Sequence, residues 1–196
     1  MPEILVLDAM GVLYQAGDDV AELLVPFVRA HGNAALTDKA IDDAYMIASR
    51  GEISAVDFWQ RMAVDPALED AYLAGHRLIE ATRQALPDLK KRYGRIVCLT
   101  NDVSDWSLKL RRRFGLETWI DRWFVSGDVG IRKTSPEIYH QALGKLEAQP
   151  EELLFVDDRP TNLDVAGSLG IRTILLDAMG GAASSHRTIR TVAELL

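Results

Sequence analysis

The sequence predicts an α/β fold, a parallel sheet with a helical insertion after its first strand. Three observations carry that reading. Short runs that are almost wholly apolar recur along the chain at Ile4–Leu7, Ile96–Leu99 and Leu153–Val156, the pattern of strands buried on both faces. Stretches with helical spacing separate them, and strands alternating with helices imply right-handed crossovers and parallel pairing. The interval between the first two runs is also far longer than one crossover helix needs.

Taken in order, Ile4–Leu7 is the first strand, and Gly11 and Gly17 bracket the turn region after it. Val20–Ala30 has apolar residues at helical spacing and stops at His31-Gly32-Asn33. Thr37 is placed to cap a helix that runs to Arg50 and closes at Gly51, and Ser54 to cap another through Met62. Pro66 suits the first turn of a fourth helix. From about His76 a helix leads to the strand Ile96–Leu99. The rest alternates: helix Val103–Phe114, strand Trp123–Val125, helix Pro136–Leu146, strand Leu153–Val156, helix Thr161–Leu169, strand Thr173–Leu176, and a short helix near Val192.

Composition narrows the function classes. In 196 residues, 48% hydrophobic and 26% charged side chains describe a globular chain with a true core. Cys98 is the sole cysteine, so a disulfide scaffold is excluded. Within this sequence no apolar run approaches the ~18 residues that cross a bilayer, and no basic segment precedes an apolar one at the N-terminus. The expectation is a soluble cytoplasmic protein with no membrane partner. Its formal charge of −7 also argues against a nucleic-acid partner. Residues 15–80 hold 12 acidic and 5 basic side chains, so this block carries the whole net charge.

The chemistry sits at the strand ends, where ligands bind in parallel sheets. The first strand ends in Asp8-Ala9-Met10-Gly11, the second in Thr100-Asn101, and the fourth in Asp157-Asp158-Arg159. The third leads into Ser126-Gly127-Asp128-Val129-Gly130-Ile131-Arg132-Lys133. Each alone is an ordinary cap, turn or surface group. Two adjacent carboxylates after four apolar residues, however, are costly without a counter-charge.

On these residues the chain resembles the haloacid dehalogenase-like hydrolases, most closely the phosphatase-like members with a small helical cap. The most specific stretches are Leu153–Leu176 and Val125–Tyr139, the latter with Gly130, Lys133, Pro136 and Tyr139. The resemblance implies a Rossmann-like core over residues 1–14 and 81–196 and a cap over 15–80. It implies Asp8 as nucleophile, with Thr100, Asn101 and Lys133 binding the transferred group, and Thr100 and Lys133 assisting catalysis. It implies Mg²⁺ held by Asp8, the Met10 carbonyl, Asp158 and, through water, Asp157. The partner expected is a small phosphorylated molecule, and the chain a monomer or homodimer.

One position departs from that pattern. Phosphatases of the family usually carry a second aspartate two residues after the nucleophile, which protonates the leaving group. Met10 stands there, and losing a positioned general acid costs roughly 10²–10⁴ in rate. Three readings stay open: a Mg²⁺-dependent phosphoryl hydrolase that is slow or specialised for good leaving groups such as acyl or aryl phosphates, or that uses a substitute acid (Asp102 after the second motif or Tyr14 near the hinge); a dehalogenase-type hydrolase; or a binding and regulatory module. Cys98 reads as a core thiol and the four tryptophans as packing residues, with Phe58 or Trp59 able to line a pocket.

Overall fold

A computed structural model describes residues 3–181 and 184–196. Its centre is a parallel six-stranded sheet in the order β3-β2-β1-β4-β5-β6. The strands are β1 (Ile4–Leu7), β2 (Arg95–Thr100), β3 (Arg122–Val125), β4 (Leu153–Asp157), β5 (Arg172–Leu176) and β6 (Arg187–Ile189). β1 is central, paired with β2 on one side and β4 on the other, so that Leu7 lies level with both Cys98 and Val156.

The period of two along the strands explains their apolar runs. Leu5, Leu7, Ile96, Cys98 and Val156 enter one hydrophobic cluster, while Ile4, Val6, Val97, Leu99 and Phe155 enter the other on the opposite face. Burying each such aliphatic side chain contributes about 1.5–3 kcal/mol. No polar face is needed, because helices cover both sides.

Between β1 and β2 the chain forms a helical block: α1 (Val25–His31), α2 (Asp38–Ala48), α3 (Ala55–Arg61) and α4 (Glu69–Leu73). The long α5 (Glu80–Tyr93) then returns to the sheet. The two capping predictions match the structure. The Thr37 side chain accepts from Ala40 N–H, and Ser54 with Asp57 forms a reciprocal capping box. Other details differ from the sequence reading. The predicted Val20–Ala30 helix opens as a π-helical turn, Val20–Leu24, before α1. Pro66 starts a 3₁₀ turn, Pro66–Leu68, that leads into α4, and the helix expected from His76 starts at Glu80.

The chain leaves and re-enters the core at one crossing. Gln15 N–H donates to Arg77 O (2.9 Å) and Ile79 N–H to Leu13 O (2.8 Å). An aromatic cluster joins the block to α6 (Ser104–Arg113): Trp106 packs on Trp59 at 5.1 Å and on Tyr72 at 5.0 Å between ring centroids. Glu69 lies beneath it and accepts from both indoles, Trp59 Nε1 and Trp106 Nε1, each at 2.8 Å. Lys109 of α6 supplies the opposing charge to Glu69 at 2.7 Å. Phe58 and Trp59 are wholly buried in this cluster and not on the cavity described below, which corrects the expectation that either lines a pocket.

After β3 come α7 (Ser126–Val129), where the sequence reading placed only a loop, and α8 (Pro136–Leu146). α9 (Pro160–Ser168) follows β4. β6 was not expected, and a 3₁₀ turn, Val192–Leu195, occupies the place of the predicted C-terminal helix. No helix among the described residues is long and apolar enough to cross a membrane.

Candidate active site

Strand order places the site. The chain runs outward from β1 through β2 and β3 to one side and then returns to begin β4 on the other, so a crevice opens between the ends of β1 and β4. Asp8 and Asp157-Asp158 flank that crevice, and Thr100 ends β2 beside it. A cavity of about 600 Å³ lies between these strand ends and the helical block. Asp8, Met10, Thr100, Asn101 and Lys133 line it from the core, and Val25, Lys39 and Tyr45 from the block.

Lys133 is the electrostatic centre. Its ammonium is buried, 2.6 Å from Asp8 Oδ1 and 2.7 Å from Asp157 Oδ2. Burial disfavours its charge, but the carboxylates of Asp157 and Asp8 outweigh that and hold its pKa above the usual lysine value. Asn101 orients the loop that carries it: Asn101 Oδ1 accepts from Lys133 N–H at 2.8 Å, and Asn101 O accepts from Tyr45 Oη at 3.1 Å.

The three acids differ in their bonding. Asp8 Oδ1 also accepts from Ala9 N–H at 2.6 Å. Both oxygens of Asp157 are engaged, Oδ1 by Arg159 N–H and both by Asn162 Nδ2. Asp158 Oδ1, in contrast, is buried with no hydrogen-bond partner. Burial and the neighbouring Asp157 push Asp8 up to about 8 against the pull of Lys133. The same two causes push Asp158 up to about 6.

Oxygens of Asp8, Asp157 and Asp158 lie within 4.8 Å of one another. These hard donors fit a divalent cation such as Mg²⁺. Three clustered carboxyls share one lysine, and the unpartnered Asp158 oxygen offers a coordination position. Gly11 is shaped around the same group. Its φ is +73°, and a Cβ there would lie 2.1 Å from Asp158 Oδ2.

Thr100 Oγ1 is likewise buried without a hydrogen-bond partner, on the cavity wall. Met10 is among the residues lining the cavity, and its thioether has no proton to give. Neither Asp102 nor Tyr14 lines it; the Asp102 carboxylate accepts from Val103 N–H at 2.7 Å. Cys98 is buried inside β2, and burial pushes its thiol well up, as a structural cysteine requires. Sequence reasoning missed Asn162, Arg132, Arg159 and Asp19, all four of which line the cavity. Asn162 had a signal: it lies five residues beyond Asp157, one helical turn into α9, so its amide faces back to the strand end.

A family model for haloacid dehalogenase-like hydrolase matches residues 2–170. Among curated proteins, flavin mononucleotide hydrolase 1 of Arabidopsis thaliana is 28% identical over 53% of this chain and 42% of its own. (S)-2-haloacid dehalogenase 4A of Burkholderia cepacia is 29% identical over 63% of this chain and 61% of its own. The chain thus spans less than two thirds of either relative. A family enzyme of Bacteroides thetaiotaomicron, crystallised with magnesium and inorganic phosphate, superposes with a TM-score of 0.78 at 21% identity, over 93% of this chain and 98% of that one. A family match over most of the sequence, on a sheet whose strand ends gather the Asp8, Thr100, Lys133 and Asp157-Asp158 set, establishes that this chain belongs to the haloacid dehalogenase-like hydrolases.

Proposed function

We propose that the protein is a Mg²⁺-dependent phosphoryl hydrolase acting on a small phosphorylated molecule, with Asp8 as nucleophile. The observation that carries this reading is the trio of Asp8, Asp157 and Asp158, whose charge Lys133 alone does not balance. Asp8, the Met10 carbonyl and Asp158 would hold the cation, with Asp157 acting through water. When bound, the cation would offset carboxylate charge and polarise a phosphoryl oxygen.

The remaining roles belong to side chains of this chain. Ala9 N–H and Lys133 both hold Asp8 by Oδ1, which aims the other carboxylate oxygen at phosphorus. That oxygen forms a bond to phosphorus while the ester P–O bond breaks and its electron pair leaves with the departing oxygen. Water then attacks the acyl phosphate and releases phosphate and the Asp8 carboxylate. Thr100 Oγ1 and the backbone at Asn101 donate to the phosphoryl oxygens, and Lys133 neutralises the charge that builds on them. Residues 15–80 act as a cap on the core of 1–14 and 81–196, and their acidic excess favours small substrates over large polyanions.

The test is phosphate release from an aryl phosphate. Turnover is expected with Mg²⁺, is lost in EDTA, and disappears in Asp8→Asn. Equal rates with and without EDTA overturn the reading. So does halide release from a 2-haloacid without any phosphatase activity, which would assign the chain to the dehalogenase chemistry of its Burkholderia relative.

A further inference from the structure

Met10 leaves the reaction without a proton donor where relatives of the phosphatase type place one. The leaving oxygen of an alkyl phosphate needs that proton, and a group on the cavity wall must supply it. Among its lining carboxyls, Asp18, Asp38 and Asp42 are exposed to solvent, and Asp38 is paired with Arg29. Asp8 is the nucleophile. Asp19 alone among the rest is buried, at 5% exposure.

The bonding of Asp19 sets it apart. An aspartate before a helical turn ordinarily caps it, but here Asp18 does so, accepting from Ala21 N–H at 3.1 Å. Asp19 makes no side-chain capping bond, and its Oδ2 is buried without a partner. Of the cavity-lining side chains, Thr100 and Asp19 carry such an orphaned oxygen. The first is accounted for by a phosphoryl oxygen. The second asks for a partner that arrives with the substrate.

We propose that Asp19 is the general acid of this enzyme, donating its carboxyl proton to the leaving oxygen in place of the residue that Met10 replaces. This rests on the phosphoryl-hydrolase reading above. As the P–O bond breaks, the Asp19 Oδ2–H proton passes to the departing oxygen, giving an alcohol and the Asp19 carboxylate. The carboxylate next takes a proton from the water that attacks the phosphorylated Asp8, and both aspartates return to their starting states.

Its surroundings suit the task. Burial raises Asp19 to about 7, with Asp18 adding to the rise and Arg159 and Arg132 opposing it. The hydroxyls of Tyr45 and Tyr72 and the carboxyl of Asp102 also lie within its field. A carboxyl poised there holds a proton at neutral pH and can release it.

The experiment compares wild type and Asp19→Asn on an alkyl phosphate and on 2,4-dinitrophenyl phosphate, reading the first turnover. The dinitrophenolate leaves without a proton. The variant is expected to lose about 100-fold on the alkyl ester and less than about 5-fold on the aryl one. Calorimetric binding of inorganic phosphate with Mg²⁺ should stay within about 3-fold, separating proton donation from binding. Equal losses on both esters, no loss on either, or a parallel loss of phosphate binding overturns the proposal. Wild type alone gives a second readout should the variant not fold: its rate should vary little with leaving-group basicity, and a steep fall from aryl to alkyl esters overturns it. Wild type inactive on both esters with Mg²⁺ present instead overturns the phosphatase reading itself.

Discussion

Lys133 bears two opposed duties if the proposed reaction holds, since the charge that would meet a phosphate also holds two buried acids in place. Its contacts at 2.6 and 2.7 Å are with Asp8 and Asp157, and all three groups are shielded from water. Removing one member of such a set strands the others, at a cost of about 3–5 kcal/mol. Lys133→Met should therefore lower the free energy of unfolding in urea by that amount at pH 7.5, besides abolishing turnover. Equilibrium unfolding checks it, and a loss below about 1 kcal/mol would mean the acids do not need the lysine.

At the scale of elements, the loop after β1 is as constrained as the strand itself. Gly11 combines a left-handed backbone with a position where the Asp158 carboxylate leaves no room for a Cβ. Gly11→Ala should displace that carboxylate and weaken the proposed Mg²⁺ binding by at least about 10-fold, the effect expected when the shell around a metal ligand is disturbed. Titration calorimetry reads the change, and unaltered affinity would detach Asp158 from the cation. Elements of this kind were legible where the signal is local. Ile4–Leu7 and Leu153–Val156 announce strands by apolar runs, and Thr37 and Ser54 announce helix starts by cap chemistry. β6 (Arg187–Ile189) was not legible, because an edge strand of three residues with two polar ones has no periodicity to read. In the site, Asp8, Thr100, Lys133 and Asp157-Asp158 were visible as strand-end chemistry and lie together. Asp19 was not, because an Asp-Asp pair before a helix reads as a cap, and only burial distinguishes the member that does not serve as one.

Over the whole molecule, the joint between block and core carries a signature of its own. His76 is buried there, edge-on to Tyr14 and Tyr72, and burial pushes it down to about 4. An unfolded chain protonates the same imidazole near 6.5, so between about pH 6.5 and 4 the unfolded state binds more protons and stability falls as pH drops. The full effect is up to about 3 kcal/mol. Unfolding wild type and His76→Phe at pH 7.5 and 4.5 isolates it, since only wild type should show this share of the acid loss; parallel curves would place the imidazole in water. Beside this histidine, Trp59 and Trp106 share the Glu69 carboxylate, with one indole from each side of the joint. Swinging the block outward would strip a buried anion of donors on one side, so wide breathing of the two halves is opposed by solvation as well as by packing. The cavity walled by Val25, Lys39 and Asp42 of the block and by Arg132 and Arg159 of the core is therefore a chamber of nearly fixed size, held by the same anion that ties its two walls together.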